Sequence, residues 1–403
     1  MDLLNKINTS AIVWLALLGA PCIGYADSEI DTMKAEIDQL KRNVAAANEW
    51  RNPNSLFHMA GYADAGYVKS DASGDNGSFG IGSFSPIFHY QYRDLVMMEA
   101  ELEMGVGDEG TTDVNLEYMS IDWFANDYLI IVAGKFLSPI GQFRQNLHPS
   151  WINKLPSAPV GFGHDGAAPV SDIGVQARGG FFMGNMKATY AIYIGNGPEL
   201  KAGIEPVATD STLIDAVDLD GVEAEALGAD RDGKKVVGGR FSILPVANLE
   251  IGVSVLTGKA TVTSFEPGEF TGTDPSLLAE PTRDYDVVGA DFSWRTVDSN
   301  FRAEYVNTKV AEAAASVATD SAEWSSWYAQ YAYQFLNADY EAVLRYCDFD
   351  SPDPAMDQKQ VAIGLNRLFS NNFIGKIAYE SNDNPNTGMD IANRLLLQLS
   401  YGF

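Results

Sequence analysis

From Asp390 to Phe403 the chain reads Asp-Ile-Ala-Asn-Arg-Leu-Leu-Leu-Gln-Leu-Ser-Tyr-Gly-Phe. Ile391, Leu395, Leu397, Leu399, Tyr401 and Phe403 share one parity, and Arg394, Gln398, Ser400 and Gly402 share the other. A period of two puts these sets on opposite faces of a strand. The apolar face is expected to run to the last residue, an aromatic ring. A soluble strand would usually fray or be capped there. A strand that closes a barrel in lipid must keep its outer face apolar to its tip. The last strand of a soluble sandwich is the other reading of this segment taken alone.

The opposite end carries Lys6, an apolar stretch from Ala11 to Ala20, and small residues in Gly24-Tyr25-Ala26. This pattern predicts a secretory signal peptide over residues 1–26, cut after Ala26. Its core is too short to span a membrane as a helix. Pro21 directly before Cys22 argues against lipid-signal processing, so Cys22 is expected to leave with the signal. Cys347 then has no partner for an internal disulfide. The remaining length suits one large barrel or two soluble domains. No stretch of eighteen apolar residues follows the signal, which excludes a helical membrane protein. The chain has 54 acidic against 27 basic residues. That balance disfavours nucleic acid and anionic lipid surfaces as partners.

Ile30, Met33, Ile37, Leu40, Val44 and Ala47 repeat at alternating spacings of three and four, with charged flanks. The spacing predicts a helix over 27–50 with an a/d seam, read as a periplasmic coiled coil. Packing as a single amphipathic helix, or as a plug in a lumen, is the alternative. The seam does not fix the number of strands.

After Asn52-Pro53-Asn54, about sixteen alternating runs are placed at 56–68, 83–93, 95–106, 113–124, 127–136, 172–182, 185–195, 235–244, 248–258, 284–294, 300–310, 323–335, 338–349, 357–369, 372–381 and 390–403. Short links, such as Gly184-Asn185 and Asn337, alternate with long ones, such as 137–171, 196–234 and 259–283. Strict short–long alternation, with both ends on the short-turn side, predicts a transmembrane antiparallel β-barrel over 51–403. Within the runs the faces separate. Met98, Ala100, Leu102 and Met104 oppose Glu99, Glu101 and Glu103; Tyr340, Ala342, Leu344 and Tyr346 oppose Glu341, Arg345 and Cys347. Ionised groups avoid lipid, so the polar parity should face a wet lumen charged with both signs. About sixteen strands leave room for an aqueous channel.

The link 137–171 is rich in Pro and Gly yet holds Phe143, Leu147, Trp151, Ile152, Leu155 and Phe162. So many apolar anchors need a wall to fold against. An inward fold would let Lys135, Arg144, His148 and Lys154 line a constriction. The alternative is an outward loop packed on a neighbouring subunit, with Trp151 as anchor.

The C-terminal strand resembles the terminal strand of bacterial outer-membrane proteins. The stretch Gly134-Lys135-Phe136-Leu137-Ser138-Pro139-Ile140-Gly141-Gln142 resembles the Gly-basic-Phe…Pro-hydrophobic-Gly segment of the phosphate-selective porin O and P family. The architecture also resembles dicarboxylate-type trimeric porins. The resemblance implies a homotrimer in the bacterial outer membrane, in contact with lipid and lipopolysaccharide, passing small hydrophilic solutes or anions without a cofactor. Lumen cations would then be Arg93, Lys135, Arg178, Lys187, Arg240, Arg295, Arg302, Arg345, Lys376 and Arg394. Glu99, Glu101, Glu103, Glu250, Asp291, Glu304, Glu341 and Glu380 are interleaved with them, which departs from a clean basic ladder. Most such pairs read as bracing across the wall. A weak anion preference at the constriction is the expectation.

The links 196–234 and 259–283 are strongly acidic, a solvated surface or a place for divalent bridging to lipopolysaccharide. Asp218-Leu219-Asp220-Gly221 is followed by Glu at the wrong spacing for a calcium loop. His148 with Ser150, and His164-Asp165, come without a nucleophile elbow or metal-ligand spacing, so neither an enzyme nor a metal site is expected. A barrel plugged by its third loop or its helix, serving as scaffold or adhesin, is the competing function.

Overall fold

The computed structural model describes residues 37–41, 55–107, 110–163, 167–207, 210–223, 230, 232–266, 280–384 and 391–403. The expected signal peptide lies outside the described residues, as do Ile30, Met33 and Val44 of the expected helical seam. Of that seam, Ile37 and Leu40 fall within a helical stretch at 37–41, and both are exposed.

Among the described residues there are eighteen strands: β1 Ser55–Ser70, β2 Ser78–Tyr92, β3 Val96–Val106, β4 Thr112–Asn126, β5 Leu129–Leu137, β6 Ser171–Met183, β7 Met186–Gly195, β8 Glu199–Val207, β9 Asp210–Glu223, β10 Val236–Val246, β11 Leu249–Glu266, β12 Arg283–Arg295, β13 Ser299–Val310, β14 Ala322–Phe335, β15 Tyr340–Asp350, β16 Gln358–Leu368, β17 Phe373–Asp383 and β18 Arg394–Gly402. Sixteen of them, all but β8 and β9, form a closed antiparallel barrel. β1 pairs with β18 from Tyr62↔Gly402 to Ser70↔Arg394. Backbone bonds between Gly61 and Phe403 add a last rung. Closure leaves no unpaired edge, which is what sixteen strands with apolar outer faces require.

The period-two pattern dictates the two faces. Leu395, Leu397, Leu399, Tyr401 and Phe403 point outward and are exposed, whereas Ser400 and Gly402 point inward and are buried. The same division holds around the wall. Val253, Val255, Leu344 and Ile363 are outward; Ser254, Arg345 and Ala362 are inward. Outward aromatic rings gather near the short turns, where Phe292 meets Phe301, and Phe373 meets both Phe369 and Tyr401.

The structure departs from the sequence pattern at the fourth long link. Residues 196–234, read as an acidic loop, contain the hairpin β8–β9. β7 bypasses it and pairs directly with β10. β11 runs to Glu266, past the expected end near 258, and there pairs in parallel with β8. The hairpin is thus held by the overhang of a barrel strand.

Candidate functional site

The link between β5 and β6 lies inside the barrel. Ile140, Phe143, Leu147, Phe162, Ala167 and Ala168 are buried in one cluster with Phe136, Tyr193, Val287, Val306 and Tyr328 of the inward wall. Leu155 sits in a second cluster with Ala332, Val343, Ala362 and Ala378. These side chains cannot face water cheaply, and the wall offers the nearest apolar surface. One part of the barrel's interior is therefore a packed core. This corrects the picture of a uniformly wet lumen.

A loop buried this way must pair its backbone groups. The wall does this with charged and amide side chains. At the start, the Gly141 N–H donates to Ser254 Oγ at 3.1 Å, and the Gln142 amide donates to Asp291 at 3.1 Å. The backbone N–H groups of Gln142 and Phe143 donate to the two oxygens of Glu304, at 3.0 and 3.1 Å. Gly141 has a φ of +73°, and any side chain there would run into the Glu304 carboxylate. A single π-helical turn, Phe143–Leu147, follows.

The loop then crosses to the opposite wall. His148 bonds the Arg144 carbonyl through Nδ1, and its Nε2 lies 3.9 Å from Glu101. Tyr62 donates to Glu101 at 2.7 Å. Trp151 covers Gly402, where an added Cβ would come within 2.8 Å of the indole. Lys376 donates to the carbonyls of Ser150 and Asn153 and to Gln398. Lys154 donates to Glu341 at 2.8 Å, and Asn366 bridges that carboxylate and the Lys154 carbonyl. Burial pulls the Lys154 ammonium down, with Glu341 pulling it back up. Arg345 donates to Ser157 O at 2.9 Å, to Ser157 Oγ at 2.8 Å and to Ala158 O at 3.0 Å. Ser326 and Thr308 hold the Val160 and Ala167 carbonyls. All these partners belong to the loop's own barrel.

The basic residues singled out from the sequence are scattered by this arrangement. Lys135 shares its face with Met119 and Ile173, the outward parity, and donates to the Leu116 carbonyl at 2.8 Å. It does not line the lumen, because the inward positions of β5 are Val132, Gly134 and Phe136. Arg93 lies in the β2–β3 turn at a φ of 52°, its guanidinium 5.3 Å from the Tyr92 ring, and is not on the wall. Arg144 is buried in the π-helical turn. Arg178 pairs with Asp122. Arg240 holds Asp291 at 2.6 and 2.8 Å and Glu250 at 2.9 Å. Arg394 pairs with Glu380 at 2.6 Å. Arg302 is buried on β13, in register with Ser293 and Gln330. Sequence reasoning recognised Glu304 and Glu341 only as wall acids and missed Asn366, Ser326 and Thr308. Gly141 was a legible clue to a close approach, but its partner was not.

The loop does not cover the barrel evenly. Inward side chains on β13 to β17, among them Arg302, Glu304, Gln330, Arg345, Gln360 and Glu380, are buried. On β1 to β3, His58 is exposed, and Asp64, His89, Glu99 and Glu103 are half-buried. Asp64 accepts from Ser83 at 3.1 Å and from Gln398 at 3.0 Å. Glu99 accepts from Tyr118 at 3.0 Å and lies 3.4 Å from His89. No group of three or more His, Cys, Asp or Glu among the described residues is arranged to hold a metal ion.

The fold is similar to solved outer-membrane proteins at low identity. An anion-selective porin from Comamonas acidovorans is 13% identical, with a TM-score of 0.57, over 87% of this chain and 100% of that one. The outer membrane channel DcaP of Acinetobacter baumannii is 10% identical, with a TM-score of 0.54, over 88% and 99%. OmpF of Salmonella typhi, in a complex with daunomycin, is 12% identical, with a TM-score of 0.54, over 88% and 99%. No family model and no curated protein matches the sequence.

Proposed function

We propose that this chain is an outer-membrane porin, a channel for passive diffusion of small hydrophilic solutes whose bore is narrowed by the loop between β5 and β6. The observation that carries the reading is the closed sixteen-strand wall, apolar outside and polar inside, with a strip along β1 to β3 that the loop leaves accessible. Sixteen strands enclose more space than side chains fill, and the outer face suits lipid. The likeness of the fold to porin structures supports it. In this reading residues 1–26 are a signal peptide, 27–50 a periplasmic coiled coil, and the barrel is a homotrimer in the bacterial outer membrane, its rim meeting lipopolysaccharide. The weak anion preference assigned to Lys135, Arg144 and Lys154 loses its basis in those three. One faces outward, one is buried and one is neutralised by Glu341.

The apolar cluster inside the barrel favours a second reading, a barrel plugged by its loop and used as scaffold or adhesin. Planar-bilayer recording separates the two. The porin reading expects steady conductance from the intact protein and a several-fold rise when residues 142–160 are deleted. A silent intact protein that conducts only after the deletion would establish the plug.

A further inference from the structure

The loop meets β3 at His148. The ring's Nδ1 bonds the Arg144 carbonyl, which can only accept, so Nδ1 carries a proton. In the neutral ring Nε2 then bears a lone pair. That atom is buried without a hydrogen-bond partner and lies 3.9 Å from Glu101 Oε1. Glu101 is itself buried, and the same oxygen accepts the Tyr62 hydroxyl at 2.7 Å. A lone pair aimed at a carboxylate is repulsive, whereas an N–H in its place makes an ion pair. Protonation of the ring therefore reverses the sign of this contact. Glu99 and Glu103, two positions to either side of Glu101, are half-buried, so protons reach the pair from the passage. Other groups surround the pair. Tyr62 of β1 sets its ring edge-on to the imidazole, with centroids 6.4 Å apart. From β2 come Ser85 and Ile87, which carry no charge. Tyr118 of β4 lies opposite Glu101, with Glu117 at the bulge beside it. On the loop, Arg144 is the preceding cation, and the Ser150 carbonyl, two residues on, is held by Lys376 of β17.

We infer that the contact between His148 and Glu101 is a proton-operated latch on the loop, closed when the imidazole is charged and released as it loses its proton, and that it sets the width of the passage along β1 to β3. This rests on the diffusion reading above and gives its regulation. Histidine changes charge between about pH 5 and 8. The ion pair holds the loop against β3 on the acid side of that range, and its contribution is lost as the pH rises. The start of the loop, bound to Glu304, and its far part, bound to Lys154 and Arg345, stay seated on the other wall. Release is therefore local to the turn around His148, beside the accessible strip.

The test follows amide hydrogen exchange and bilayer conductance of the folded protein across that pH range, with exchange corrected for its intrinsic pH dependence. The reporting amides are Asn146, Ile152 and Asn153, each bonded to a carbonyl within the loop. Their protection should fall by about tenfold from the acid to the alkaline side, as loss of one charged hydrogen bond implies, while β13 amides hold steady. Conductance should rise over the same range. His148→Gln removes the titrating ring, and Glu101→Gln keeps an acceptor for Tyr62 but removes the charge, so that either variant serves if the other does not fold. Both should make protection and conductance independent of pH. Loop protection that ignores pH in the intact protein, or a pH dependence that survives in the variants, would overturn the latch and leave the porin reading intact. Protection that follows pH while a steady conductance does not would overturn its control of the passage. A latch that responds in a protein silent at every pH would instead overturn the porin reading and, with it, control of a passage.

Discussion

At the scale of single residues, Glu304 fixes the start of the loop. It receives two consecutive backbone N–H groups from the loop and the Tyr328 hydroxyl from the wall. A buried donor left unpaired costs about 1–3 kcal/mol, so Glu304→Ala should free the start of the loop without dissolving the barrel. Hydrogen exchange should speed up at Gln142 and Phe143, while strand amides of β13 stay protected. Equal loss of protection in both would mean that Glu304 supports the wall instead. Gly141→Ala should act at the same point, since the backbone there is left-handed and the carboxylate fills the Cβ position. Residue roles were the least legible part of the sequence. Lys135 was read by type, as a cation near a constriction, although parity with Val132 and Phe136 already put it on the other face. Glu304 was placed with the wall acids, but no local pattern could say that a backbone 162 positions away would come to it.

At the scale of elements, alternation was legible wherever a strand had lipid-like and polar faces. The sixteen barrel strands lie where the runs were placed, with ends shifted by a few residues except in β11, which runs on to Glu266. The hairpin was missed because its carboxylates looked like loop. Yet Val217 and Leu219 alternate with Asp218 and Asp220, the same period read elsewhere as strand. It is an accessory, since β7 and β10 pair without it over Val236↔Gly195 to Leu244↔Lys187. Replacing residues 199–223 by a short Gly-Ser linker should therefore leave a barrel that resists denaturation in detergent at room temperature. Heat-modifiable gel mobility checks this. A variant that always runs unfolded would show that the overhang of β11 needs the hairpin.

At the scale of the whole molecule, closure depends on residues far apart in sequence, Tyr62 with Gly402 and Gly61 with Phe403. Removing Leu399–Phe403 deletes the rungs to Gly61–Ala65 and the Gly402 contact with Trp151. The truncated chain should lose the compact heat-modifiable form; retention of that form would show that β17 can seal against β1. The wall partners of the loop tie distant parts of the chain together. Ser254, Glu304, Arg345 and Lys376 all follow the loop in the chain, by 113 to 226 positions. The bonds that seat the loop exist only when those strands are paired, so loosening either the loop or the second half of the wall strips partners from the other, as with a keystone and its arch.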